Sequence, residues 1–462
     1  MNAEDATLAM DQPAAVAAVA VPSASGLRSW YALAVFVVAT VLAAVDGQLI
    51  VLLTDPIKKS LSLSDTQIGL LGGIGLTLIA GLAAVPIGWL ADRFDRRAVL
   101  VGSILVWSVA AGLCGMSSSF LWFFVAAVGL GVGKAGVRPI IWGLIPEVVT
   151  AQRRVLANNV YAFVTLLGTG LGVGLAGVLL QTLEGARDRL PLPLQDAPVW
   201  RLALFTVAAI GPLVALLVLG VRKHRIVLVK PGAVEAADSR SATIYIRAHV
   251  ATMVGVFGTF GLAGVGVGSI QMWLPVAAGR NFGATPASIG QAMGLAIMIA
   301  TLLGAGIGTL VVRWLLPRIG TATPLRLIGG GLVISALSAM ALPLMQSATQ
   351  LYVLFVVVAT PLVTATILLP TLVQDIAPPQ LRSRVTAVGI VIATLIAASS
   401  PVLVGALSDM LQPRPNGLML AVAVISGVGM LAGAVLSRAS EAAFVSTVEG
   451  LRAALGTVPA KP

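Results

Sequence analysis

The sequence predicts an all-α integral membrane protein whose twelve transmembrane helices form two six-helix halves. Three observations predict it. Of the 462 residues, 58% are hydrophobic and only 10% charged, with a mean hydropathy of +1.00, whereas a soluble domain carries about 25% charged residues. Twelve apolar runs recur along the chain, each close to the roughly 20 residues that a bilayer core requires. A polar, basic stretch at about 222–246 divides them six and six.

Taken in order, residues 1–28 are rich in Ala, Val and Ser and lack the positively charged start of a secretory signal. They are expected to be a disordered cytoplasmic tail. Runs at about 29–53, 66–91, 98–117, 119–146, 155–181 and 201–221 make an N-terminal bundle, 29–221. The linker 222–246 is expected on the cytoplasmic side. Runs at about 247–275, 286–314, 323–345, 349–376, 383–411 and 416–437 make a C-terminal bundle, 247–437, before a cytoplasmic tail, 438–462. The fifty glycines suit this class, since small residues let spanning helices approach closely.

Orientation follows from the loops, because Lys and Arg favour the cytoplasmic side. With the N-terminus inside, one face collects twenty Lys and Arg and the other seven. Both termini are therefore expected in the cytoplasm and the chain in the cell inner membrane. Trp30, Trp122, Trp200, Trp273 and Trp314 fall near run ends, where an amphipathic ring prefers the interface. The net charge of +11 resides in short clusters between apolar runs, which argues for topology and against nucleic acid as a partner. The single Cys114 excludes an intrachain disulfide, and His224 and His249 have no Cys or carboxylate cluster beside them, so neither a metal nor a cofactor is expected.

Charges at bilayer depth cost at least about 2.5–3.5 kcal/mol each and mark function. Asp46 lies in the outer half of the first run; Lys134 and Arg138 lie near the middle of the fourth. Lys134, Arg138 and Trp142 recur at four-residue spacing and share a helix face. Two like charges so placed require an anion. Asp46 supplies one, leaving one cation to face a central cavity and meet an anionic substrate. The competing reading is that all three charges only brace the first and fourth helices. Asn158, Tyr161 and Thr165 share a face of the fifth run, and Gln271, Gln291, Thr360 and Thr364 add polar groups in the second half. Residues of this kind more often join helices, at about 0.6 kcal/mol each, than touch a ligand.

Several enzyme-like motifs fail. Gly133-Lys134 lacks the first glycine and the Ser/Thr of a phosphate loop, and the Gly264–Gly268 repeat lacks the strand and acid of a dinucleotide site. No Ser/His/Asp, Cys/His or paired-carboxylate set occurs at membrane depth, so an enzyme is not expected.

The segment Gly88-Trp89-Leu90-Ala91-Asp92-Arg93-Phe94-Asp95-Arg96-Arg97 is a charged turn between the second and third runs. It resembles the signature of the major facilitator superfamily at that place, with Asp95 where glycine is usual. The stretches Asp46-Gly47-Gln48-Leu49-Ile50, Leu63 to Leu71, Gly131-Val132-Gly133-Lys134-Ala135-Gly136 and Trp273-Leu274-Pro275 resemble the Spinster-like branch of that superfamily. The resemblance covers most of residues 30–437.

It implies the major facilitator fold, alternating between inward- and outward-open states and often coupled to protons. It also implies that Asp92 holds a cytoplasmic gate near the start of the eleventh helix, with Gly88, Arg93, Arg96 and Arg97 around it and Glu147 within reach. The arginine pair Arg153-Arg154, a few residues after Glu147, is echoed by Asp375 followed by Arg382 and Arg384. Between the eighth and ninth runs no copy of the charged turn appears. The sequence departs from the branch at Gly47, where arginine is usual, at Lys134, where glutamate is usual, and at Ala126 or Ala127 for a second arginine. The charges are rearranged, and the glutamate that would couple protons is absent.

The sequence thus reads as a monomeric secondary active transporter working by alternating access on a small organic anion. The proton is the candidate coupling ion, Asp46 its carrier, and the lipid bilayer the surroundings. The alternatives are an exporter of amphipathic, lipid-like or drug-like compounds and, in another class, a non-transporting receptor or sensor on the same fold. A channel fits less well, since no pore-loop filter or ring of acids is visible.

Overall fold

The computed structural model describes residues 26–149, 151–189, 191–221, 239–378 and 381–454. Among these residues twelve membrane-length helices, several of them broken, follow one another. The first half contains α1 (Gly26–Leu52), α2 (Asp65–Leu70, a π-helical stretch Leu71–Leu78, and Ile79–Arg93) and α3 (Arg96–Met116). It continues with α4 (Phe120–Ala135 and Val137–Val148), α5 (Ala151–Gly185) and α6 (Val199–Leu219). The second half contains α7 (Val250–Phe282), α8 (Pro286–Ile319) and α9 (Thr323–Met340), then α10 (Ala348–Ile376), α11 (Arg382–Ala397 and Ser400–Met410) and α12 (Gly417–Ala439). The helices alternate in direction. We call the face carrying Gly26, Val148 and Ala439 the terminal face, and the face carrying Leu52, Asp65 and Met410 the distal face.

The helix starts are set by side chains that accept from otherwise unpaired backbone N–H groups. Ser64 and Gln67 form a reciprocal capping box on α2, the Ser64 hydroxyl accepting from Gln67 N (3.1 Å) and Gln67 Oε1 accepting from Ser64 N (2.9 Å). Thr285 and Ser347 cap α8 and α10. Asp95 caps α3 by accepting from Arg97 N at 2.9 Å, which gives a structural reason for an acid where the superfamily signature has glycine.

The structure adds detail to three expectations. The linker 222–246 is not wholly irregular: a helix, Ser239–Ala248, occupies its end, and Tyr245 donates to the Ile376 carbonyl at 2.7 Å. The expected tail 438–462 contains the helix Glu441–Ala454, which buries Phe444 and Val448 completely against the second half. An apolar pair three to four residues apart makes one side of a helix insoluble on its own. Trp200 and Trp273 are buried inside the protein, while Trp30, Trp122 and Trp314 are 46%, 65% and 59% exposed. The N-terminal tail falls outside the described residues except for its last three, which open α1.

Within each half the bundles are conventional: α3 packs on α6, and α7 and α9 on α12. The two halves meet through α5 with α8 and α2 with α11. Both contacts are backbone-close. A Cβ added at Gly290 would lie 2.6 Å from the Gly177 Cα, and one at Gly294 would lie 2.7 Å from the Gly174 Cα. One at Gly69 would lie 2.3 Å from the Pro401 carbonyl oxygen. These contacts gather in the distal portion of the interface. They roof a central hollow between the halves.

Candidate functional site

That hollow, about 440 Å³, is walled by α4 and α5 of the first half and α7, α8 and α10 of the second. Its volume lies within the 300–1,000 Å³ of small-molecule sites. Most of its wall is apolar, from residues such as Leu166, Val267, Ile270 and Phe355. The polar groups are few: Arg138, Gln271, the indole of Trp142 and the hydroxyls of Thr165, Thr169, Thr301 and Thr366.

Helix α4 sorts its charges by a break at Gly136, between its two segments. Before the break, Lys134 Nζ donates to Asp46 Oδ2 of α1 at 2.7 Å. Asp46 is fully buried, Lys134 is 18% exposed, and Asp46 Oδ1 has no hydrogen-bond partner among the described residues. Gly47 lies beside this pair, and a Cβ there would meet Lys134 Nζ at an ordinary contact distance of 3.8 Å. A buried pair of this kind is strongly destabilised when one member is removed, because the other charge is left uncompensated. After the break, Arg138 turns into the hollow, exposed, with no hydrogen bond or ion pair among the described residues. The face shared by Lys134 and Arg138 in an ideal helix is therefore divided between a brace and a cavity wall.

Trp142 lies on the same wall and meets Tyr161 edge to face, with ring centroids 5.2 Å apart. Tyr161 is itself fully buried, hydrogen-bonded to the Thr40 hydroxyl at 3.0 Å. Its neighbour one turn on, Thr165, reaches the cavity, whereas Asn158 does not line it. Gln271 faces the hollow from α7. Gln291 and Thr364 serve as joints: Gln291 donates to Gln181 across the two halves (2.7 Å), and Thr364 to the Gly304 carbonyl (2.8 Å). The glycine runs are packing surfaces. A Cβ at Gly133 would meet the Trp107 backbone N at 2.5 Å, and one at Gly266 would meet Met430.

The charged turn at the terminal face has partners in the first half. Arg96 donates to Glu147 Oε1 (3.0 Å) and to the Gly143 carbonyl (3.2 Å). Arg97 donates to the carbonyls of Leu219 and Val221. Arg93 stacks on Trp89, its Cζ 4.2 Å from the ring centroid. Gly88 has nothing near it; the side chain of Asp92 lies outside the described residues. Arg153 is exposed. Arg154 donates back to the Pro146 carbonyl (3.3 Å), as Arg382 does to that of Gln374 (3.0 Å), so the weak echo between the halves has a common geometry.

Sequence reasoning missed a second cluster, at the distal face. Arg280, at the end of α7, donates to both Asp65 oxygens (2.8 Å each) and to Asp55 Oδ1 (2.8 Å). Lys58 donates to Asp65 Oδ1 at 2.6 Å and Ser408 of α11 to Asp65 Oδ2 at 2.8 Å. Asp65 is fully buried, so this network ties α2 of the first half to α7 and α11 of the second. A signal was present, in two acids and two lysines crowded into an eleven-residue connection, 55–65.

Comparison with known families matches residues 32–401 to the Major Facilitator Superfamily. The chain belongs to this superfamily. It is accordingly a membrane transporter rather than an enzyme. Among curated members of the superfamily, it is 26% identical over 418 residues to an MFS-type efflux pump of Mycolicibacterium smegmatis, covering 87% of this chain and 91% of that one. It is 26% identical over 390 residues to protein spinster homolog 1 of Rattus norvegicus, covering 78% and 69%. Among solved structures, a bacterial homolog of the human lysosomal transporter Spinster, in an inward-facing and unoccupied conformation, superposes with a TM-score of 0.73 at 20% identity, covering 92% and 98%. A D-xylose–proton symporter gives 0.63 at 16%, covering 88% and 97%. These likenesses place this superfamily member beside the Spinster-like branch, as the residues around Asp46 and Lys134 suggested.

Proposed function

We propose that this transporter moves an organic anion with an apolar body by alternating access, binding it in the central hollow with Arg138 against its charged group. One observation carries this reading. Arg138 is a cation on the wall of a mainly apolar cavity, without an ion pair among the described residues, while its neighbour Lys134 is already neutralised by Asp46. A free guanidinium presents a fork that fits a carboxylate or phosphate. Trp142 and Gln271 flank the ligand, and Asp46, with one oxygen unpartnered, is the group through which a proton would couple. The twenty-to-seven imbalance of Lys and Arg supports a cytoplasmic terminal face, with both termini there, in the inner membrane as a monomer.

A second reading, export of amphipathic compounds, draws support from the apolar walls and from the efflux pump among the relatives. One experiment separates the two. Thermal unfolding of the purified protein is followed across organic anions and lysolipids, with Arg138→Ala beside the native chain, since a ligand that binds the folded state raises the midpoint. Stabilisation by carboxylates that the substitution abolishes supports the anion reading. Stabilisation by lysolipids alone, untouched by the substitution, refutes it and favours the exporter.

A further inference from the structure

Helix α2 ends in Gly88-Trp89-Leu90-Ala91-Asp92, and α11 ends in Gly405-Ala406-Leu407-Ser408-Asp409. Both are Gly-x-Leu-small-Asp in the last turns of a helix. The second copy is absent from the α8–α9 connection because it lies on the other face of the protein. Helices α2 and α11 are antiparallel neighbours, so each motif ends on the face where the other helix starts.

At the distal face the motif is engaged. Asp409 Oδ1 accepts from Asp65 N (3.0 Å), and Oδ2 accepts from Thr66 N (2.8 Å) and the Thr66 hydroxyl (2.7 Å). A carboxylate from one half thus caps the N-terminus of a helix in the other, where unpaired N–H groups and the helix dipole favour negative charge. Gly405 makes this possible: a Cβ there would lie 2.3 Å from the Asp65 carbonyl oxygen.

At the terminal face no counterpart of this cap is formed among the described residues. Helix α11 starts at Arg382 without a side-chain cap among the described residues, and Arg382 and Arg384 put two more positive charges in its first turn. A Cβ on Gly88 would meet nothing within 4 Å. The α2 motif has the glycine that close approach requires and, in this conformation, open space at that glycine among the described residues.

We infer that the two motifs are alternating latches, and that Gly405 and Asp409 are positioning residues for the transport cycle. In the conformation described here, Asp409 caps α2 and holds the distal face shut. In the opposite one, Gly88 seats against the first turn of α11, Asp92 caps it, and Asp409 lets go. Each latch replaces the other at a similar energy, so neither end state is a trap. The inference rests on the alternating-access reading but not on any substrate.

The test uses spin labels at Ser118→Cys and Thr349→Cys, exposed positions of opposite halves at the distal face, with the buried Cys114 left in place. Distances are measured in nanodiscs without substrate. Asp409→Ala and Gly405→Ala are each expected to raise the long-distance population roughly five- to thirtyfold, the factor that corresponds to losing one helix cap. Adding Gly88→Ala to either variant is expected to lower that population again, because the opposite seat is then blocked. Unchanged distances in Asp409→Ala, or a Gly88→Ala that increases the long population, would overturn the inference. If Gly405→Ala does not assemble, Asp409→Ala, which adds no atoms, decides alone. Because no ligand is present, failure of the anion reading at Arg138 would leave these outcomes as they are.

Discussion

Replacing Lys134 by Met removes the only hydrogen-bond and ion-pair partner of Asp46 among the described residues, and Asp46 is fully buried. At the observed 2.7 Å, two unit charges attract by about 6 kcal/mol in an effective dielectric of 20. Relaxation, and water reaching the site from the cavity side, reduce that figure, and breaking one side of a buried pair costs about 3–5 kcal/mol. Asp46→Asn should cost less, because Lys134 is 18% exposed and its flexible stem can turn the ammonium into the hollow. The double variant keeps volume and buries no lone charge, so it should be less destabilised than Lys134→Met, with a coupling energy of at least about 2 kcal/mol. Equilibrium unfolding by dodecyl sulfate in mixed micelles measures all three. If the two single losses simply add to within about 0.5 kcal/mol in the double variant, the pair contributes nothing and the reasoning fails.

Three further outcomes follow from other sites. Arg280→Ala leaves Asp55 and Asp65 without their shared guanidinium, so a cysteine placed at Met272, 7% exposed, should be labelled on the order of tenfold faster; an unchanged rate would show that the distal face is held by packing alone. Gly290→Ala drives a methyl to within 2.6 Å of the Gly177 Cα and should cost about 1–3 kcal/mol by thermal unfolding, whereas Gly306→Ala, with open space around it, should be silent. The Arg326 guanidinium holds the Glu441 carboxyl below the usual glutamate range. A group lowered on folding stabilises fully above its unfolded value and loses that contribution as pH falls through the folded one. Hydrogen exchange in the helix Glu441–Ala454 should therefore be slow at neutral pH and quicken in acid, beyond the change in intrinsic rate, and Glu441→Gln should show the quickening already at pH 7.

The spans were legible because hydropathy acts over some twenty residues and needs no knowledge of neighbours. The pairing of Asp46 with Lys134 was legible for a different reason, since a lone acid and a lone base at membrane depth leave few partners. The separation of Lys134 from Arg138 was not. It depends on a break at Gly136, and a glycine among many glycines announces no break. The distal network escaped notice because Arg280 lies more than 200 positions from Asp55 and Asp65 in sequence and reads as one more charge at a helix end. The helix after α12 was obscured by its length: fourteen residues with two deeply buried apolar side chains show their amphipathic side only once a surface is there to receive it.

With no ion pair among the described residues, the Arg138 guanidinium in the hollow would also make the proposed cycle sensitive to membrane voltage. With Lys134 neutralised by Asp46, the empty hollow carries about one net positive charge from Arg138. When access switches from one side to the other, the electric field falls on the opposite side of that charge. The step then involves up to about 2.3 kcal/mol for every 100 mV across the bilayer. In a cell with a negative interior and a cytoplasmic terminal face, the empty carrier is drawn toward the terminal-open form, where it waits for internal ligand. A monovalent anion bound at Arg138 cancels the charge and frees the loaded carrier from the field. The empty return would then be the electrogenic half of the cycle, visible as a transient current that Arg138→Gln removes.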